Sequence, residues 1–407
     1  MITRNHKNTV MKLLSALGIL VFIISCSPSQ DRIEQQQPIG SRLQLFVDDY
    51  LIDELSGGAR LILQHPTLQD VAIVHDELWE GNGSGFHSVF QDGDLYRMYY
   101  KAWQLTTTDD KLTLPHPLFT CYAESDDGIH WRKPNLGLVE FKWSMQNNIL
   151  WADNKSVDAG YPAVFIDTNP DAPPDARFKA IRVSGDFNGL MAFKSPDGIH
   201  WTPMSDKNIV SKNDLAMVES GGFFDSQNTA FWDPAHEVYR LYFRYWPNNR
   251  RDIMTMTSKD FLNWINPLPL EYPGARPEHL YTNQIKPYYR APHILVGFPI
   301  RYIDWGWTDS TNALPEFSKR RQRAGPLVDI DGDELDPRFG SAVTESLFMT
   351  SRDGYTFKRW DDAFLRPGIE RKHSWAYGNQ YIAWHLVETK SKFEEASNEL
   401  SLYATEG

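Results

Sequence analysis

Between residues 87 and 403 the chain alternates short apolar runs with polar turns, and the alternation recurs in units. The first unit reads His87-Ser88-Val89-Phe90, a turn at Asp92-Gly93-Asp94, then Tyr96-Arg97-Met98-Tyr99-Tyr100. The third repeats it as Thr229-Ala230-Phe231-Trp232, Asp233-Pro234 and Tyr239-Arg240-Leu241-Tyr242-Phe243. The second is looser, with Ala163-Val164-Phe165-Ile166 and Phe178-Lys179-Ala180-Ile181, and the fourth supplies Ile294-Leu295-Val296-Gly297-Phe298. A fifth start stands at Asn379-Gln380-Tyr381-Ile382-Ala383-Trp384, followed by its second strand at Leu400-Ser401-Leu402-Tyr403. Alternation over four to eight residues, bounded by Gly, Asp and Pro, predicts strands joined by hairpins.

A phrase of the form Ser-x-Asp-(Gly)-x-x-aromatic follows each of the first four units. Its copies run from Ser125 to Trp131, Ser195 to Trp201, Ser258 to Trp264 and Ser351 to Phe357. The Asp is placed to accept hydrogen bonds from amides just ahead of it, and the Gly supplies a positive φ. Sheets of about four short strands in roughly 40–50 residues are the blades of a propeller. The expected fold is all-β, a five-bladed β-propeller over residues 41–407. Residues 301–343 form an insertion in the fourth unit. Residues 41–53 and Arg60-Leu61-Ile62-Leu63 also alternate, which predicts strands able to complete the fifth blade by joining the two ends of the ring.

Composition adds two points. The 407-residue chain carries a net charge of −12 with no basic stripe, which excludes nucleic acid as a general partner. Residues 1–25 read as an export signal, with Arg4, Lys7 and Lys12 before an apolar run from Leu13 to Ile24. The run ends at Ile23-Ile24-Ser25-Cys26, which resembles a bacterial lipobox. Cys26 is then the lipidation site, residues 26–40 a flexible tether, and the cell envelope the expected location. Cys121 is the other cysteine of the two, so no intrachain disulfide is expected. Nucleotide-binding glycine motifs, H-E-x-x-H and C-x-x-C do not occur. The acidic run Asp329 to Asp336 is dense enough for calcium, but Gly332 breaks the ligand order, and a solvated turn is expected.

Loops leading into the first strand of each unit should line one mouth of the channel. They carry Glu80 and His87, then Asp158 and Tyr161. Asp225-Ser226-Gln227-Asn228 follows, then Glu278-His279-Leu280-Tyr281-Thr282-Asn283, and last Asn379. Several carboxylates around one axis suit glycoside hydrolysis, which needs a proton donor and a base or nucleophile flanking the bond. Arg244, Arg251 and Arg301 flank aromatic strands, where they brace blades or bind an anionic sugar in a fork.

Five such units, the Ser-x-Asp-x-x-x-Trp turns and the mouth acids resemble the five-bladed propeller glycoside hydrolases, the arabinanase/xylosidase and invertase/fructanase group. Phe224-Asp225-Ser226-Gln227-Asn228-Thr229-Ala230-Phe231-Trp232-Asp233 and Glu278 to Asn283 more closely resemble bacterial propeller proteins labelled similar to the family 32 N-terminal domain. The resemblance covers about residues 42–407. It implies a hydrolase acting on a plant or algal oligosaccharide or polysaccharide. Asp225 would be base or nucleophile, Glu278 the acid and Glu80 a third carboxylate. His87, Asn228, His279, Tyr281, Asn283, Arg244, Arg251, Arg301 and Asn379 would contact sugar. The Trp-Met-Asn-Asp-Pro phrase of invertases is absent, and Glu80 or Asp76 stands where that phrase has its Asp. The resemblance implies no organic cofactor; some such families hold a structural calcium in the channel. A monomer is expected. The alternatives are a non-catalytic carbohydrate-binding lipoprotein and a scaffold for protein partners.

Overall fold

The computed structural model describes residues 39–108, 111–323, 338–368 and 380–406. Of residues 1–40 only Ile39 and Gly40 are described, so Cys26 and its surroundings lie outside the described residues, as do Asn379 and the Asp329–Asp336 run. The body is an all-β propeller.

Four antiparallel sheets follow one another along the chain. The first orders Gly83–Asp92, Leu95–Trp103, Phe119–Ser125 and Ile149–Ala152 as a meander. The second orders Ala163–Ile166, Phe178–Val183, Gly189–Ser195 and Thr202–Pro203, with Val210–Ser211 also on Gly189–Ser195. The third is Thr229–Asp233, Val238–Tyr245, Asp252–Ser258 and Trp264–Pro269. The fourth is Lys286–Tyr288, Ala291–Gly297, Met349–Ser351 and Lys358–Arg359. Two-stranded pairings, Gln380–Ile382 with Ala404–Glu406 and Val387–Thr389 with Glu399–Ser401, make a final hairpin.

First strands stand side by side around an axis. Gly83–Asp92 neighbours Ala163–Ile166, which neighbours Thr229–Asp233, and Gln380–Ile382 neighbours Gly83–Asp92. Backbone bonds from Val89 N to Trp384 O (3.0 Å) and from Trp384 N to His87 O (2.7 Å) hold that last junction. The axis is filled rather than open. Gln227 Nε2 donates to Phe86 O, Ser88 Oγ and Pro162 O, and Gln284 Nε2 donates to Gln227 Oε1 (2.6 Å). Trp384, fully buried, donates to Ile285 O beneath them.

The four phrases fold identically. In each, the Ser hydroxyl donates to the Asp two residues on (2.9–3.0 Å) and accepts from the amide three residues on. The same Asp oxygen accepts two further amides. Neighbouring sheets lock onto these turns. Tyr99 donates to Gly198 O (3.0 Å) and Tyr242 to Gly354 O (2.8 Å). Gly354 has φ +87°, and a Cβ there would lie 2.2 Å from the Arg240 guanidinium. Gly354→Ala is expected to cost about 2–4 kcal/mol in urea unfolding, through backbone strain and a displaced ion pair. Gly222→Ala, with open space at its Cβ, should stay within about 0.5 kcal/mol of the parent.

One expectation fails. Residues 41–53 form bends and turns without a strand, and residues 60–63 have no regular structure. Leu45 and Val47 instead pack on Tyr288 and Val296 of the fourth sheet, pinned by Arg352 on Asp48 and Lys358 on Asp49. The 301–343 insertion grows from an antiparallel pair, Ile300–Asp304 with Ala342–Ser346, and carries short helices at Asp309–Ala313, Phe317–Arg323 and Arg338–Ser341. Arg320, within Lys319-Arg320-Arg321-Gln322-Arg323, is buried and donates to the carbonyls of Pro315, Thr311, Leu314 and Gly340, so it braces the insertion.

Candidate active site at the channel mouth

Above the Gln227 plug the lead-in loops converge on an aromatic rim. Phe86 lies 4.8 Å from Tyr161, 6.4 Å from Tyr281 and 6.0 Å from Tyr381 between ring centres, and Tyr281 lies 6.1 Å from Tyr302. All five are half-buried, which leaves ring faces available to a ligand. Phe86 sits in the bulge between Gly85 and Ser88 with φ +53°, and Phe224, just before Asp225, has φ +69°. Left-handed backbone at a bulky residue costs about 1–3 kcal/mol and concentrates at functional sites. Here it turns Phe86 and Asp225 towards the mouth.

Asp225 is the exposed carboxylate of the rim, with its side chain 58% exposed. Tyr161 O–H donates to Oδ1 (2.8 Å) and Arg244 is ion-paired to Oδ2. Two further acids lie on the second sheet's side. Asp158 is buried, its Oδ1 accepting the Gly160 amide at 2.7 Å, and Asp153 accepts the Ala159 amide. Burial pushes Asp153 up to about 6, helped by the charge of Asp158. Burial likewise raises Asp158, against the pull of the Gly160 amide, Lys101 and Arg182, with the charge of Asp225 adding to the rise. Two environments for carboxylates therefore meet at one mouth, one open and ion-paired, the other more enclosed and raised in its affinity for the proton.

The remaining expected residues divide. Tyr281 and His279 face the mouth. Arg251 packs over Trp246, Tyr281 and Tyr302 at 4.4, 5.6 and 4.3 Å, and Trp246 meets His279. Glu278, in the same irregular stretch, is engaged by arginines instead. It pairs with Arg301 (2.8 Å), Arg359 (3.3 Å) and Arg276 (3.6 Å), and Arg301 also pairs with Glu345. Glu278, the expected acid, and Arg301, expected to contact sugar, thus both close an ion-pair network between strands. Glu80 is engaged as well. Its side chain is fully enclosed and accepts from Tyr100 (2.5 Å), Lys133 (2.7 Å), Glu77 N (2.9 Å) and His75 (3.3 Å). Burial opposes ionisation there, yet the bonds from His75, Lys133, Tyr100 and Glu77 hold the carboxyl at about 2.

Asn228 and Asn283 are buried and bond to backbone. Asn228 caps Phe224 O and Ser226 O, while Asn283 accepts from Thr229 and Ile285 N. They shape the loops and do not reach the rim. His87 is buried against His75 Nε2 (3.0 Å) and Thr405, and burial with the neighbouring His75 lowers it well below the usual imidazole range. His87 also borders a cleft of about 1290 Å³ that opens beside Trp103 and Tyr381.

Sequence reasoning missed Phe86, Lys101, Asp153 and Arg182. A signal for Lys101 was available, since it interrupts Tyr99-Tyr100-Lys101-Ala102-Trp103 at the place Arg244 takes in Tyr242-Phe243-Arg244-Tyr245-Trp246. Among the described residues no group of three or more His, Cys, Asp or Glu could hold a metal, and no helix is long and apolar enough to cross a membrane.

No family model matches the chain, and no curated protein does. The solved structures it resembles include glycosidases. A protein solved as an RGII complex aligns at 14% identity, covering 80% of this chain and 87% of that one, with a TM-score of 0.44. An α-L-arabinofuranosidase from Clostridium thermocellum aligns at 12% over 75% and 78%, TM-score 0.44. A β-fructofuranosidase from Schwanniomyces occidentalis, complexed with fructosyl-erythritol, aligns at 14% over 80% and 61%, TM-score 0.41.

Proposed function

We propose that the protein is an extracytoplasmic glycoside hydrolase, lipid-anchored through Cys26, that cleaves a plant or algal oligosaccharide or polysaccharide at this mouth. The observation that carries the reading is the pairing of unlike carboxylates, exposed Asp225 against buried Asp158 and half-buried Asp153, both raised in their affinity for the proton. Asp225 acts on the anomeric carbon, directly or through a water. Asp158 gives its proton to the departing glycosidic oxygen, with the charge of Asp153 beside it raising its affinity for that proton. The rim of Phe86, Tyr161, Tyr281 and Tyr381 supplies faces on which sugar rings stack. The propeller has five blades in this reading, with the 380–406 hairpin as the fifth. In support, Tyr403 donates to Gly128 O of the first turn phrase, as Tyr99 and Tyr242 do to the second and fourth.

The test is reducing-sugar release from neutral and acidic plant and algal glycans. Release by the wild type, lost in Asp225→Asn and Asp158→Asn, supports the reading. No release from any glycan, with some glycan still bound, moves the protein to carbohydrate binding without hydrolysis. The pH profile is a second check. The donor must be protonated, and burial raises both Asp158 and Asp153 above the ordinary carboxylate range, so turnover should fall on the alkaline side of the profile. Asp153→Asn removes a like charge beside Asp158, lowers its affinity for the proton and should move the alkaline limb to lower pH. An alkaline limb that stays in place in this variant removes Asp153 from the donor pair.

A further inference from the structure

The mouth holds buried cationic donors that its acids do not engage by hydrogen bonds. Lys101 and Arg244 occupy equivalent places in the first and third sheets. Each lies two residues after a tyrosine that donates to the glycine of the next sheet's turn, and two residues before a tryptophan, Trp103 or Trp246. Both are 5% exposed. Lys101 Nζ lies 3.9 Å from the Trp103 ring centre, 5.0 Å from Tyr161 and 5.6 Å from Phe86, and makes no hydrogen bond or ion pair among the described residues. Arg244 commits Nη2 to Asp225 and leaves Nη1 buried without a partner among the described residues. Arg182, also 5% exposed, bonds Asp158 O through Nε and leaves Nη2 in the same condition.

Cations elsewhere in these sheets are treated differently. Arg97, Lys179 and Arg240, near the start of the second strand in sheets one to three, are each closed by an aspartate, Asp92, Asp167 or Asp233. At the mouth, Lys101, Arg182 and Arg244 face Asp153, Asp158 and Asp225, yet the acids leave donors on all three cations without an acceptor among the described residues. A neutral sugar would offer the Lys101 ammonium and the spare guanidinium N–H groups only uncharged hydroxyl acceptors. An anion would supply the missing acceptor.

We propose that the mouth selects a sugar unit bearing one negative charge, a carboxylate or a sulfate ester, bound by Lys101 with Arg244 and Arg182 behind it. The proposal rests on the mouth being the sugar site. It is tested by calorimetric titration of the full chain with galacturonic acid, galactose 6-sulfate and galactose at one pH and ionic strength. At least one anionic sugar should bind about tenfold more tightly than galactose, and the stronger of the two identifies the charged group. Lys101→Met should erase that preference and Lys101→Arg should keep most of it, each with a cooperative thermal melt. Three results would overturn the proposal: galactose binding as tightly as both anions, no measurable binding of either anion, or a preference that survives in folded Lys101→Met. Release from neutral glycans with no anionic preference rejects this inference and spares the hydrolase. Anion binding with no release from any glycan does the reverse.

Discussion

Asp225→Asn is expected to lower turnover by about 10³-fold or more and to cost about 1–2 kcal/mol of stability. The amide cannot serve as nucleophile or base, and although its oxygen still accepts from Tyr161, the buried Arg244 guanidinium loses the charge it is paired with. Glu278→Gln should lose stability and keep turnover. It breaks a carboxylate shared by Arg301, Arg359 and Arg276, so stability should fall by about 1–3 kcal/mol. Turnover should stay within about tenfold of the parent, because Glu278 is taken up by those arginines. Measured on the same glycan, the two variants separate the sites cleanly. Inactive Glu278→Gln beside active Asp225→Asn would return the chemistry to Glu278 and reject the mouth described here.

What was legible in the sequence follows the range of the interactions. The turn phrases were readable because every bond in them lies within three residues, Ser125 to Asp127 and Asp127 to the amides of Ile129 and His130. The strands around them were readable for the same reason. The segment 41–53 has the alternation of a strand, but what it meets is a packed sheet face and two basic side chains over 300 residues away. Asp225 was legible as an acid leading into a strand. Glu80 and Glu278 looked the same, and their roles are set by Lys133, 53 residues on, and Arg301, 23 residues on. Nothing local distinguishes an acid that will be covered by a distant cation from one that will stay open. The cation side was within reach, since a lysine amid aromatics, repeated as an arginine two sheets later, marks a buried charge needing a use.

Glu80→Gln should cost about 3 kcal/mol at pH 7, among the largest stability losses for any single polar change in this protein. The carboxylate sits at the meeting of the His75 loop, the Tyr100 strand and Lys133, and it accepts from all three. An amide loses the charge that Lys133 and His75 complete and offers N–H groups where only donors point. The sign of the pH dependence follows from the direction of the shift. Held at about 2 against an ordinary 4.5, the group stabilises the folded state fully above pH 4.5, and that contribution is lost as pH falls from there towards 2. Urea unfolding at pH 7 and near pH 2 should therefore show a gap of about 3 kcal/mol between wild type and variant that closes at the acid end. A gap of equal size at both pH values would mean that shape, not charge, holds this corner. A variant that keeps its stability but loses turnover would restore Glu80 as a catalytic acid, against the enclosure in which its side chain lies.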